Sequence, residues 1–419
     1  MSQEKTNKTT KTTFFAIMIG NVLDHYDIAL YTFLVPFIAP IFFQNDDPVV
    51  QLIMAYGLTS ISMISRPLGS ILFGKLAIRF GARNILVATL CGVALSTFAI
   101  GFIPGYASIG SLSILLLAVV RFVQGVFASG EQSIAGIFVL DHVSESTRTK
   151  ASSYYIASGM VGAMLASGAA TLVSITENPS ETWRYAFMSG VVTGIIGILM
   201  RFITLNQEVK IQIESKPIHR IVIEYRAIIL RIICVSSFSY MTYLIPFVFL
   251  NKFVPLFTDI SFTEMMAYNS LIMLLDIILL PVFGHIAQRF NISKWMLVMA
   301  IILGITAIPA FYMIDKSDFY GIMSIKLWFV VIGLAYAAPI RAWLFSLIKT
   351  NERYVVTGLG YAVGTEMLGR QTTTICWLLW HQTQNITAPA YYVVFLSVLA
   401  ISSLAIKIPE KSSPVKNAD

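Results

Sequence analysis

Two short segments of this sequence are near copies of each other: LFGKLAIRF at 72–80 and VFGHIAQRF at 282–290. They share Phe, Gly, Ala, Arg and Phe at matching places, and they begin 210 residues apart (72 to 282) in a chain of 419. A repeat separated by half the chain indicates that both halves are copies of one structural unit. The sequence therefore predicts a duplicated fold.

The composition places both halves in a membrane. Hydrophobic residues make up 56% of the chain and charged residues only 12%, whereas soluble domains carry roughly 25% charge, so a soluble enzyme is excluded. A spanning helix needs about 20 mostly apolar residues. Twelve stretches qualify: 13–43, 49–76, 84–104, 110–140, 150–175, 185–205, 228–250, 264–287, 295–314, 322–348, 354–380 and 388–408. We predict an all-α integral membrane protein with twelve transmembrane helices in two pseudo-symmetric six-helix bundles.

Lys and Arg cluster in every second connection, beginning with the amino-terminal tail. Because cytoplasmic loops carry the excess of basic residues, both termini are predicted to be cytoplasmic. The first stretch is too long and too charged for a cleavable signal peptide. The predicted location is the inner membrane of a bacterial cell. The net charge of +7 is explained by this topology and by contact with anionic lipids, not by nucleic-acid binding.

The longest polar connection, 206–227, lies near the midpoint of the chain. The predicted organisation is an amino-terminal six-helix bundle over 1–205, a cytoplasmic central loop over 206–227, and a carboxyl-terminal bundle with a short tail over 228–419. Parallel repeats of this kind place a substrate site near the membrane midplane, between halves that rock against each other.

Three segments resemble the metabolite:H⁺ symporter branch of the major facilitator superfamily. They are GNVLDHYDIALY at 20–31, SRPLGSILFGKLAIRFGAR at 65–83 and RFVQGVFASGEQ at 121–132. The resemblance implies the fold of that superfamily, alternating access, and a cargo such as proline, betaine or an organic acid. It also implies gating loops that contain Gly74, Arg79, Gly81, Arg83, Gly284 and Arg289. Ile78 and Gln288 replace the family's loop aspartate, so its usual latch of charge pairs does not carry over intact.

Ionisable side chains inside predicted helices are costly, by at least about 2.5 kcal/mol at the helix centre, and are therefore candidates for function. Asp24, Asp27 and Tyr31 recur at helical spacing on one face. Two carboxylates this close repel when both are ionised, so one is expected to keep a proton, as a coupling site requires. The alternative is that Asp27 only fixes helix packing. His25 is better explained by interhelical packing than by proton relay.

Charged residues in the other helices extend the candidate site. Arg121, Gln124 and Glu131 form an inward stripe in which the arginine suits a substrate carboxylate and Glu131 a proton. A structural ion pair is the alternative, and Arg66 is a candidate partner for the first helix's carboxylates. Asp276 and Arg341 lack a local partner and could pair with each other or bind substrate, whereas Glu366 and Arg370 are spaced to pair structurally.

We therefore predict a secondary active transporter that carries a small zwitterionic or carboxylate-bearing metabolite together with protons, with a zwitterion slightly favoured over a di- or tricarboxylate. The predicted proton-coupling residues are Asp24, Asp27 and Glu131, and the predicted substrate contacts are Tyr31, Arg66, Arg121, Gln124, Asp276 and Arg341. No cofactor, metal or nucleic acid is expected, and the protein is expected to be a monomer in contact with lipids. A drug or siderophore exporter and a non-transporting sensor remain alternatives.

Overall fold

The computed structural model describes residues 2–80, 82–141, 143–144, 147–204, 218–348 and 353–406. Across these ranges the chain forms twelve long helical spans, which match the twelve predicted stretches. In chain order they are α1 (Ser2–Phe42), α2 (48–80), α3 (Ala82–Ile100), α4 (Leu112–Asp141), α5 (Arg148–Ser174), α6 (179–204), α7 (218–256), α8 (Phe262–Ala287), α9 (Ile292–Tyr312), α10 (319–346), α11 (353–383) and α12 (Ala388–Ala405). Two short helices, Tyr106–Ile109 and Ile314–Lys316, lie in connections.

In the described part of the chain, nine of the spans are long and apolar enough to cross a membrane. The other three are α3, α6 and α11. Consecutive spans are joined by short connections and therefore run in opposite directions. We call the end of the bundle at which α1 begins the terminal face, and the other end the opposite face. Asp47, Ser261 and Asp318 cap helices that start at the opposite face, because their side-chain oxygens accept hydrogen bonds from otherwise unpaired backbone N–H groups.

Among the described residues, two spans contain a π-helical turn. In α7 it covers Ile245–Phe249, where Pro246 cannot donate the hydrogen bond that a regular α-helix requires. In α11 it covers Gly364–Gly369. π-turns within helices are frequent at functional sites. The turn in α7 contributes Phe247 to the wall of the cavity described below, and the turn in α11 contains Glu366, which pairs with Arg370 of that wall.

The central loop is shorter than predicted, because α7 begins with the helix Ile218–Leu244. The polar character of residues 218–227 favours a loop, but Ile221, Tyr225 and Ile229 follow one another at four-residue spacing and are all buried. That apolar stripe stabilises an amphipathic helix. Residues 205–217 lie outside the described part of the chain.

The largest contacts between the two halves are made by two helix pairs: α5 packs against α8, and α2 packs against α11. Smaller contacts join α10 to α4 and α5, and α11 to α4. Within the first half, α1 packs against α5. Both repeat segments lie at the end of the second span of their half, as the duplication predicts. Gly284 in the second copy contacts Ser153 of α5, so this glycine permits a close approach between the halves.

Candidate functional site

A cavity of about 150 Å³ lies between the two halves. Spans α1 and α5 line it from the first half, and α7, α8, α10 and α11 line it from the second. Its polar wall residues are Asn21, His25, Thr32, Tyr155, Ser239, Tyr240, Thr242, Tyr243, Asp276, Arg341, Tyr361 and Arg370. A cavity shared by pseudo-symmetric halves is the position at which transporters with parallel repeats bind their cargo.

Asp276 of α8 is a buried carboxylate in the wall of this cavity, with 4% of its surface exposed. It makes no hydrogen bond or ion pair to any residue that the structure describes. The rings of Tyr240, Tyr243 and Phe247 form a row in the same wall, with successive centroids 6.1 and 5.7 Å apart. An unpaired carboxylate beside aromatic faces suits the cationic group of a ligand.

Arg341 of α10 lies in the same wall, and its guanidinium is stacked 3.9 Å from the ring centroid of Tyr361. The proposed pairing with Asp276 is not observed between these described residues. Stacking on the ring leaves the planar edge of the guanidinium available, and its Nε has no hydrogen-bond partner. This is the arrangement in which arginine binds a carboxylate through two parallel hydrogen bonds.

The predicted acidic face of α1 lies beside the cavity and not in its wall. Asp24 and Asp27 are 1% and 2% exposed, and Thr193 of α6 is 3.3 Å from both carboxylate oxygens of Asp27. His25 of the same helix does belong to the cavity wall. Its Nδ1 donates to the backbone carbonyl of Asn21 at 2.9 Å and lies 4.0 Å from the carboxylate of Asp24.

The residues of the predicted inward stripe on α4 do not line the cavity either. Arg121 donates to Gln124 at 2.6 Å and is stacked 4.1 Å above the ring of Tyr31, whose hydroxyl donates to the carbonyl of Ala55. Arg121, Gln124 and Arg66 line a smaller pocket of about 20 Å³. The prediction of direct substrate contact therefore has no support from this geometry for these four side chains. The side chain of Glu131 lies outside the described residues.

Glu366, predicted to pair locally with Arg370, also connects the two halves of the protein. It is 2% exposed, pairs with Arg370 as predicted, and also forms an ion pair with Arg66 of α2 at 2.8 Å and a hydrogen bond with Ser62. The spacing of residues along α11 could reveal only the local partner. The ion pair between Glu366 and Arg66 depends on the packing of α2 against α11, which the spacing of residues does not reveal.

Lys326 of α10 is a further candidate that is not among the predicted site residues. It is fully buried and donates to Asn251 of α7 at 2.6 Å. No carboxylate lies within 4.0 Å of its ammonium group among the described residues. A lysine inside a predicted span with no acidic residue three or four positions away was the available signal.

The predicted gating residues are only partly described. Gly284 lies at the contact between α5 and α8, and Arg289 contacts His285 at 3.4 Å on the surface. The side chains of Arg79 and Arg83, the surroundings of Gly74, and the whole of Gly81 lie outside the described part of the chain.

The halves touch at both ends of the cavity. At the terminal face, Ser152 donates to the carbonyl of Ala338 at 3.0 Å. At the opposite face, His381 of α11 donates to Asp47 at 2.7 Å, and nearer the cavity Ser60 donates to Gln371 at 2.6 Å. We call the contact between α2 and α11 the α2–α11 seam.

The outer end of this seam is expected to depend on pH. The hydrogen bond from His381 lowers the pKa of Asp47 below its ordinary value, with help from the backbone N–H of Val49. A lowered pKa in the closed form means that the contact is fully stabilised above the ordinary aspartate pKa of about 4 and weakens as pH falls below it.

We therefore expect spin labels at Gln44→Cys and Gln382→Cys, on either side of the seam and with the native cysteines replaced, to move apart between about pH 6 and about pH 3. Asp47→Asn should produce the longer distance at both pH values. Glu177→Gln, which removes an exposed carboxylate from the same face, is the control. A pH response that survives in Asp47→Asn would contradict this assignment.

The sequence model of the Major Facilitator Superfamily matches residues 17–369, most of the chain. The chain belongs to this superfamily. The expected family and the all-α fold with twelve helices are thus confirmed.

Individual proteins support the same assignment. The chain is 25% identical to the proline/betaine transporter of Escherichia coli K12, over 96% of this chain and 84% of the relative. It is 24% identical to the citrate-proton symporter of Klebsiella pneumoniae, over 91% and 88%. Among solved structures, a D-xylose-proton symporter superposes with a TM-score of 0.75 over 96% of this chain and 98% of the other, at 13% identity. This likeness shows the shared fold.

Proposed function

We propose that the protein is a secondary active transporter that carries a small zwitterion or carboxylate together with protons by alternating access. The observation that carries this proposal is a cavity between the halves whose wall holds an unpaired carboxylate, Asp276, and a ring-stacked guanidinium, Arg341. A zwitterion would place its cationic group against Asp276 and the aromatic row, and its carboxylate against Arg341. The transport of proline, betaine and citrate by relatives supports the same cargo class.

The proton is assigned to the buried acidic face of α1. Asp24 and Asp27 are carboxylates inside a membrane-spanning segment, and His25 links their surroundings to the cavity wall. Buried acids within membrane spans are the usual carriers of coupled protons. We further propose a bacterial inner-membrane location, a monomer in contact with lipids, and cytoplasmic termini, since the basic residues cluster on the terminal face.

The test is uptake of radiolabelled L-proline, glycine betaine and citrate by proteoliposomes with an inward proton gradient. The proposal expects uptake of at least one of them, with a zwitterion favoured. Asp276→Asn should lower the apparent affinity for a zwitterion by about tenfold or more, because a charge-assisted contact is lost. The exposed Asp315→Asn is the matched control. Uptake only when protons flow outward through the protein would instead indicate an exporter, and binding without flux a sensor.

A further inference from the structure

The starting observation is one carboxylate shared by two guanidinium groups from different halves of the protein. Glu366 accepts from Arg66 Nη1 of α2 at 2.8 Å, from Arg370 Nε at 2.7 Å and from Arg370 Nη2 at 3.2 Å. All three side chains are 6% exposed or less. The bond to Arg66 crosses the α2–α11 seam, whereas the bonds to Arg370 stay within α11.

Arg370 also forms part of the cavity wall. Its Nε and Nη2 are used by Glu366, and its guanidinium lies 5.0 Å from the ring centroid of Tyr240. Its Nη1 makes no hydrogen bond to any residue that the structure describes. A carboxylate in the cavity can therefore use the Nη1–Nη2 edge, at which it competes for Nη2, the longer of the two bonds to Glu366.

We propose that the carboxylate of the cargo, placed above against Arg341, also binds Arg370 of the same cavity wall, and that this contact shifts Glu366 towards Arg66 and tightens the α2–α11 seam. This inference rests on the proposed function. The physical reason is that a guanidinium already holding one carboxylate attracts a second one less, because the two anions repel each other in a medium of low dielectric constant. Glu366 then gains more from Arg66, its remaining partner.

The consequence is a direct connection between cargo and closure. Ser60–Gln371 and Asp47–His381 continue the seam from Glu366 towards the opposite face. A stronger bond between Glu366 and Arg66 holds these outer contacts together while cargo is bound. When the cargo leaves, Arg370 again forms both hydrogen bonds with Glu366, the bond between Glu366 and Arg66 weakens, and the seam loosens. Arg370 would thus contact the cargo and also transmit the binding of cargo to the α2–α11 seam.

The experiment measures the distance between spin labels at Gln44→Cys and Gln382→Cys, both at exposed positions across the seam. The full-length protein is used in lipid nanodiscs, with Cys91, Cys234 and Cys376 replaced by alanine. The labelled protein must retain transport. Arg231→Gln removes a guanidinium that is stacked on Trp343, away from the seam, and serves as the control.

Without ligand, the two arginine substitutions should act in opposite directions. Arg370→Gln leaves Glu366 to Arg66 and should shorten the label distance. Arg66→Gln and Glu366→Gln remove the ion pair across the seam and should lengthen it. If Arg370→Gln does not yield folded protein, Arg370→Lys weakens the same pairing and must shift the distance in the same direction. A lengthening by Arg370→Gln as well as Arg66→Gln would show that both arginines only support the structure, and would overturn the inference.

With ligand, L-proline, glycine betaine or citrate, whichever the wild type transports, should shorten the distance in the wild type and leave it unchanged in Arg370→Gln. The same substitution should raise the KM for uptake by about tenfold or more. Transport of a ligand with no change in label distance contradicts the inference alone. If the wild type transports none of the three ligands, the proposed function is contradicted. The label distances measured without ligand still show whether Arg66 and Arg370 compete for Glu366.

Discussion

Asp27→Asn is expected to abolish the accumulation of cargo driven by a proton gradient, while exchange of cargo across the membrane continues. Asp27 lies in α1 with 2% of its surface exposed, next to Thr193 and close to Asp24. Asparagine has nearly the same shape, so it preserves the packing and can keep a hydrogen bond. It cannot bind or release a proton, so the substitution removes coupling and leaves the cavity in place.

Two assays on the same proteoliposomes separate these effects. Uptake driven by an inward proton gradient should fall to the level of liposomes without protein. Counterflow, in which unlabelled cargo inside drives the entry of labelled cargo, should stay within about threefold of the wild type. Asp46→Asn is the matched control, because it makes the same chemical change at an exposed position of the same half. Normal accumulation by Asp27→Asn would exclude this residue as the coupling site.

The second large effect is expected from Gly162→Ala in α5. A Cβ atom built on this glycine would lie 2.8 Å from the backbone nitrogen of Tyr26 and even closer to the carbonyl oxygen of Val22. Both neighbours are backbone atoms of α1, so neither can rotate away. Overpacking of a tight contact typically costs about 1–3 kcal/mol, and a backbone clash belongs at or above the upper end of that range.

The measurement is the apparent melting temperature of the purified protein in detergent, together with the amount inserted in membranes. Gly168→Ala supplies a control within the same helix, because a Cβ at that position meets nothing within 4 Å. We expect Gly162→Ala to melt clearly earlier and to reach lower levels in membranes, and Gly168→Ala to resemble the wild type. Equal stability of the two variants would mean that α1 and α5 are not packed as described.

The fold could be predicted almost completely because a membrane span leaves a strong local signal. Apolar stretches of the required length, together with the alternation of basic loops, define twelve helices without knowledge of their packing. The start of α7 is not predicted by the same signal, because 218–227 is too polar for a span. The buried stripe of Ile221, Tyr225 and Ile229 at this end of α7 is recognised only by its periodicity. The π-turn at Pro246 likewise depends on the environment of the backbone.

The candidate site could be predicted only in part. Charged residues inside spans can be listed from the sequence, and Asp276 and Arg341 do lie in the wall of one cavity. Their partners depend on which helices touch, so the sequence paired Glu366 with Arg370 and could not find Arg66 across the seam. The spacing of residues shows which of them share a helical face, but it does not show whether that face lines the cavity. Tyr31 of α1 and Arg121 of α4 stack on each other outside the cavity.

We propose that cargo and protons cross the membrane together through this protein. The most direct test is the pH inside proteoliposomes that start with equal pH on both sides and receive an inward gradient of a transported ligand alone. Symport predicts that the interior becomes acidic as cargo enters, and that Asp27→Asn removes the acidification. Entry of cargo with no change in internal pH, or with an alkaline shift, would show that this protein does not carry protons inward with its cargo.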